Sequence, residues 1–143
     1  MDYFEDLAVG DTDSFGSYEV TEAEVVEFAE RYDPQPFHTD PEAAAASPFG
    51  GLVASGWHTA AMTMRVLVDG ALSEMATRGA AGVDELRWRQ PVRPGQTLSV
   101  EVEVAGKRDW DDETGLAEVA ITTLADGDTA LTMTGLVLVS RRS

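Results

Sequence analysis

A chain of 143 residues suits a single domain with a buried core, and its lack of cysteine excludes disulfides, thiolate metal sites and a cysteine nucleophile. With 26 acidic residues against 10 basic ones, a formal net charge of −16, its surface is a poor match for nucleic acid or an anionic membrane. Lys107 is the only lysine, and so acidic a surface is expected of a halophile cytosol, where salt screens the self-repulsion. The opening Met1-Asp2-Tyr3-Phe4-Glu5-Asp6 lacks the basic and apolar regions of a signal peptide, so cytoplasmic residence is expected.

Residues 7–11 lead into a short strand expected at 15–20. Thr21-Glu22-Ala23-Glu24 reads as a capping box, and Val25, Phe28, Ala29 and Tyr32 then repeat at helical spacing. Pro34 ends that helix and leaves Asp33 where backbone regularity stops. In Tyr32-Asp33-Pro34-Gln35-Pro36-Phe37-His38, two prolines separate Asp33 from His38, so the pair is expected on a stiffened loop with no regular helix. Such a loop holds a carboxylate and an imidazole at one separation, as acid/base work on one water requires. From loop chemistry alone it is equally open that Asp33 only turns the chain and that the backbone satisfies His38.

Asp40-Pro41-Glu42 opens a short helix through Ala43–Ala46, closed by Ser47-Pro48. Residues 43–64 contain no Asp, Glu, Lys or Arg, but Ser47, Pro48, Gly50, Gly51, Ser55, Gly56, His58 and Thr59 dilute the run too far for a membrane span. A buried helix is expected over 52–75. The glycines that open it leave backbone amides approachable at a helix start, which suits an oxyanion, although taken alone a glycine corner is the more ordinary explanation. His58 reads as a satisfied core histidine. A metal set of Asp33, His38, Asp40 and His58 has no recognised spacing, so no metal is expected.

Beyond Gly79 the period becomes two. Leu86 and Trp88 alternate with Glu85, Arg87 and Arg89; Leu98, Val100, Val102 and Val104 alternate with Thr97, Ser99, Glu101 and Glu103, each pattern predicting a strand with one buried face. A turn at 91–95 separates them, a long charged loop is expected at 106–115, and strands at 116–124 and 129–139 form a hairpin through Asp126-Gly127. The order is α+β.

The run Asp33-Pro34-Gln35-Pro36-Phe37-His38, continued by Thr39-Asp40-Pro41, the glycine at Gly56 and Arg87-Trp88-Arg89-Gln90-Pro91-Val92-Arg93-Pro94-Gly95, resembles the MaoC-like or (R)-specific enoyl-CoA hydratase family. The chain departs from that pattern at Gln35, where asparagine is usual, and at Ser55, where histidine often stands. The resemblance implies a single hot-dog domain over 1–143, a curved antiparallel sheet wrapped around a long central helix, and at least a homodimer. It implies an acyl-CoA substrate, hydration or dehydration across the 2,3 double bond, and no cofactor. Asp33 and His38 would hold the water, and the Gly56 N–H would polarise the thioester carbonyl. Gln35, Phe37, Ser55, Trp57, Arg87 and Arg93 are then candidates to contact substrate. Arg87, Arg89 and Arg93 gather where CoA phosphates could bind, with ordinary salt bridges on so acidic a surface the plainer reading, and Trp57, Met62 and Met64 could line the acyl chain, with core packing the default. A hot-dog thioesterase or a non-catalytic acyl-binding subunit are the alternatives.

Overall fold

In the computed structural model, which describes residues 1–143, five antiparallel strands hydrogen-bond into one sheet of order β1-β3-β4-β5-β2. They are β1 (Thr12–Glu19), β2 (Thr77–Trp88), β3 (Thr97–Asp109), β4 (Thr114–Ala125) and β5 (Asp128–Ser140). From Ala117 in β4 and Leu131 in β5 onward, buried and half-buried residues alternate, turning Val119, Ile121, Leu131, Met133 and Val137 to one face. Asp126 and Gly127 join them with positive φ at both central residues, the backbone a two-residue hairpin needs. Register shifts in β1, β2 and β3 bend the sheet around what lies on its inner face.

That inner face holds α4 (Gly56–Gly70), whose Val66 and Leu67 pack into one core cluster with Val100, Ile121 and Leu131. Leu131 is fully buried, which stabilises the fold by on the order of 2 kcal/mol. Two hydroxyls cross this layer: Thr63 Oγ1 donates to the Thr59 carbonyl at 2.8 Å and meets Thr123 Oγ1 at 2.7 Å. The hot-dog arrangement expected from the sequence is therefore the one observed. No helix is long and apolar enough to cross a membrane.

α1 (Glu22–Tyr32) begins as expected, with Thr21 Oγ1 accepting from the Glu24 N–H at 3.2 Å, but the Glu24 carboxylate turns away to accept from the Tyr18 hydroxyl at 2.6 Å. α3 (Pro41–Ala45) follows its Asp40 cap. Three expectations need correction. The long helix starts at Gly56, not at 52, because Val53 and Ala54 run extended and bond instead to the Phe37 and Val92 carbonyls. The expected loop at 106–115 is mostly strand, since β3 and β4 pair as far as Asp109 and Gly115. Lys107 fits there because its ammonium caps the Leu7 carbonyl and lies over the Phe4 ring. Finally, β2 is an edge strand without a buried face: Val83 is 51% exposed and Trp88 45%.

Candidate active site

Asp33 ends α1. Its N–H closes the last turn on the Ala29 carbonyl, its backbone leaves helical geometry, and Pro34 prevents continuation. The stiff loop expected after it is in fact two residues, Pro34 and Gln35, followed by a short helix, α2 (Pro36–Thr39), for proline is tolerated at the first helical position, where no intrahelical N–H bond is required. His38 sits inside that turn, its N–H donating to the Gln35 carbonyl at 2.9 Å.

His38 is buried, with Nδ1 2.7 Å from the Val53 carbonyl and Nε2 3.3 Å from Asp33 Oδ2. A carbonyl only accepts, so Nδ1 carries the hydrogen and neutral Nε2 presents a lone pair to the carboxylate. Two acceptors facing each other need a hydrogen between or beside them. A water able to donate once to each supplies it, as does protonation of the ring.

Gln35 Nε2 donates to Asp33 Oδ1 at 2.6 Å, and the Ser55 hydroxyl lies beside the same carboxylate. Burial works against the charged form of Asp33, but the Gln35 amide, the Ser55 hydroxyl and the His38 ring together outweigh it and hold the carboxyl below the ordinary aspartate range.

Ser55 is fully buried and caps α4, its Oγ accepting from the Trp57 N–H at 3.3 Å. Gly56 is the first residue of the helix, so its N–H has no acceptor inside it. The Trp88 indole donates to the Gly56 carbonyl at 2.8 Å, and its ring lies where a side chain would be: a Cβ on Gly56 would stand 2.4 Å from Trp88 Cε2. His38, Gly56, Phe37, Thr59, Trp88 and Arg89 help line one cleft of about 340 Å³. The imidazole of the pair and a helix-start residue thus share an opening, with the Asp33 carboxylate behind the ring at 3.3 Å.

Of the candidates chosen for substrate contact, Phe37 lines this cleft, edge-on to the His38 ring at 4.5 Å. Gln35 and Ser55 point to Asp33 rather than into the cleft. Trp57, 60% exposed, packs edge-on against Trp88 on the outside, and Met62 is buried in the core. Arg93 is committed to the Phe49 carbonyl at 2.6 Å, and Arg87 lies beyond the cleft on the face of β2 that it shares with Arg89. Arg89, grouped in the sequence with Arg87 and Arg93, does line the cleft. Trp88 and the Val53 carbonyl are contributors that sequence reasoning missed; the alternation that contained Trp88 read as a buried strand face.

His58 departs from expectation in one respect. It is buried and stacks on Phe28 with centroids 4.7 Å apart, yet its Nδ1 has no partner. Burial lowers its pKa, and the Glu24 charge opposes that only in part. A second cavity of about 350 Å³ lies against the C-terminal half of α4, lined by Met64, Leu67, Met75, Val102, Met133 and Val137 among others.

The family model described as a MaoC like domain matches residues 8–125. A 3-hydroxybutyryl-CoA dehydratase of Methylorubrum extorquens is 39% identical over 105 residues, which cover 72% of this chain and 64% of that protein, so the chain spans less than two thirds of this relative. The 3-hydroxyacyl-thioester dehydratase Z of Mycobacterium tuberculosis is 32% identical over 115 residues, covering 76% of this chain and 73% of that one. Among crystal structures, a MaoC-like dehydratase from Rhodospirillum rubrum superposes with a TM-score of 0.92 at 42% identity, over 100% of this chain and 99% of its own. The (R)-hydratase from A. caviae involved in PHA biosynthesis superposes with a TM-score of 0.75 at 28% identity, over 92% and 96%.

Proposed function

This chain belongs to the MaoC-like domain family, and from that premise we propose that it is a hydro-lyase acting on an acyl-CoA thioester, an (R)-specific enoyl-CoA hydratase or, in reverse, a 3-hydroxyacyl-CoA dehydratase. The observation that carries this reading is the Asp33 Oδ2 to His38 Nε2 separation of 3.3 Å, with His38 lining the same cleft as the Gly56 helix start. Both facing atoms accept hydrogen bonds, so the pair holds a water by its two hydrogens and leaves the oxygen lone pairs free to attack.

In the hydration direction the water oxygen bonds to the β-carbon while one of the pair accepts its proton. The double-bond electrons move toward the thioester carbonyl, and the Gly56 N–H stabilises the resulting enolate oxygen; one such donor is typically worth roughly 3 kcal/mol. A proton delivered to the α-carbon completes the addition, so that H and OH have been added with no redox change. Asp33, kept ionised by its donors, serves as an acceptor throughout neutral pH.

The carrier is proposed to be coenzyme A. Arg89 lines the cleft and Arg87 shares its face of β2, and neither has a carboxylate within ion-pairing distance in a chain with 26 acidic residues. Unpaired guanidinium groups on so acidic a surface suit phosphates. A homodimer is proposed from the outer edge of β2, which lacks a strand partner, and from Trp57, Met64 and Val68, exposed along α4 beside exposed Val83.

The test is hydration of crotonyl-CoA, followed as loss of the conjugated enoyl absorbance, in wild type, Asp33→Asn and His38→Ala. Activity that collapses in both folded variants supports the reading. Release of free thiol without loss of the double bond, or full activity in either variant, overturns it.

A further inference from the structure

A carboxylate is two-fold symmetric about χ2, so nothing in Asp33 itself decides which oxygen meets His38 or how steadily it stays there. The neighbouring residue decides it. Gln35 Nε2 donates to Oδ1 at 2.6 Å, while Oδ2 faces His38 Nε2 at 3.3 Å. The Gln35 main chain is tied to the same two partners: its N–H donates to the Asp33 carbonyl at 2.8 Å, and its carbonyl accepts from the His38 N–H at 2.9 Å and from Thr39 Oγ1 at 3.2 Å. One residue therefore holds both members of the pair, Asp33 through side chain and backbone and His38 through backbone. It does so from outside the cleft, which it does not line.

We propose that Gln35 is a positioning residue that occupies one oxygen of the Asp33 carboxylate, reserves the other for the reacting water, and makes no contact with substrate. This rests on the hydratase reading for the identity of the water, although the Gln35–Asp33 coupling is measurable without it. The sequence had grouped Gln35 with residues touching substrate. Its amide is instead spent on Asp33, and the Val53 carbonyl performs the matching task for His38 by fixing Nδ1 as the protonated nitrogen. Each of the two reacting groups has one atom committed to the protein and one left free. Ser55, beside the same carboxylate, adds a second restraint from the α4 cap.

Gln35→Met keeps the length of the side chain and removes its donor. Gln35 is exposed and is followed by a proline-started turn, so the substitution removes little packing; Gln35→Asn, with a shorter arm, is the second variant. Two quantities are read: the pH profile of kcat and KM on crotonyl-CoA, and the titration of the Asp33 carboxyl carbon by NMR, assigned through Asp33→Asn. In Gln35→Met both the carboxyl titration and the acid limb of the profile move to higher pH, because a donor to the charged form is gone. There kcat falls on the order of tenfold to a hundredfold as the carboxylate loses its orientation, while KM stays within about twofold. Gln35→Asn retains part of the effect, lying between wild type and Gln35→Met. A lowered kcat with an unmoved Asp33 titration overturns the proposal, as does a large rise in KM with kcat preserved, which would make Gln35 a substrate contact. If wild type hydrates no enoyl-CoA, the hydratase reading fails by itself, and the NMR titration alone still decides whether Gln35 governs the state of Asp33.

Discussion

Substituting Gly56→Ala tests how tightly the helix start is packed under Trp88. The added Cβ would lie 2.4 Å from Trp88 Cε2 and 2.7 Å from Cδ2 and Nε1, against a comfortable carbon separation of about 3.5–4.0 Å. These are atoms in the middle of the indole, so the ring must move by more than about 1 Å, and the 2.8 Å bond from Trp88 Nε1 to the Gly56 carbonyl breaks with it. Overpacking costs about 1–3 kcal/mol and the lost bond about 0.5–1.5 kcal/mol. Alanine recovers about 0.4–1 kcal/mol by restricting the unfolded chain, and the half-exposed ring can swing toward solvent. The net expectation is about 2 kcal/mol of destabilisation, a fall in melting temperature of about 6–8 °C. If the amide is displaced along with the ring, kcat on crotonyl-CoA falls by about 100-fold. Calorimetry and the hydration assay are run as a double-mutant cycle with Trp88→Ala. With the indole removed, Gly56→Ala should cost almost nothing in stability. A Gly56→Ala protein that melts within about 1 °C of wild type, or a penalty of the same size in both backgrounds, refutes the reasoning.

His58 gives a stability prediction. Its pKa is held below the unfolded value, so between the two values the unfolded chain binds the extra proton; stability is complete above about pH 6.5 and declines as pH falls below it. His58→Phe keeps an aromatic partner for Phe28 and removes the orphaned Nδ1, so its melting temperature should fall less than wild type between about pH 7.5 and 5.5; parallel curves would sink this account. For the proposed homodimer, Val83→Lys and Met64→Glu place charge on the exposed apolar surface beside the β2 edge and should halve the mass seen by light scattering. A wild type that is monomeric at every concentration contradicts the premise.

Much of the site was legible because its residues are close in sequence or carry distinct local chemistry. Asp33 at a proline-stopped helix end is a local signal, and the structure places it as read; the serine cap that starts α4 at Gly56 is present in the sequence but was passed over for a helix beginning at 52. The errors have physical causes. An apolar run such as 52–54 looks the same whether it continues a helix or crosses the core extended; the difference lies in the Phe37 and Val92 carbonyls, which are distant in sequence or direction. Pro36 was taken as a barrier to helix because the first-turn position, where it does no harm, depends on where the turn begins. β2 was only half seen, since Gly79 and Gly82 interrupt its alternation and its register shifts repeatedly. The orientation of Gln35 and Ser55 toward Asp33 required side-chain geometry that no spacing encodes.

The Thr63 and Thr123 hydroxyls have a consequence for the precision of the cleft. α4 rests on an otherwise greasy inner face, and van der Waals contact alone would oppose an axial slide only gently. The hydroxyl pair is directional and buried, and because Thr63 keeps its bond to the Thr59 carbonyl within the helix, any slip along the axis strands the buried Thr123 hydroxyl without a partner. Thr63 lies seven residues from Gly56, about 10 Å along the axis. The longitudinal placement of the Gly56 amide is thus pinned from deep inside the core, by two residues that never meet the cleft's contents.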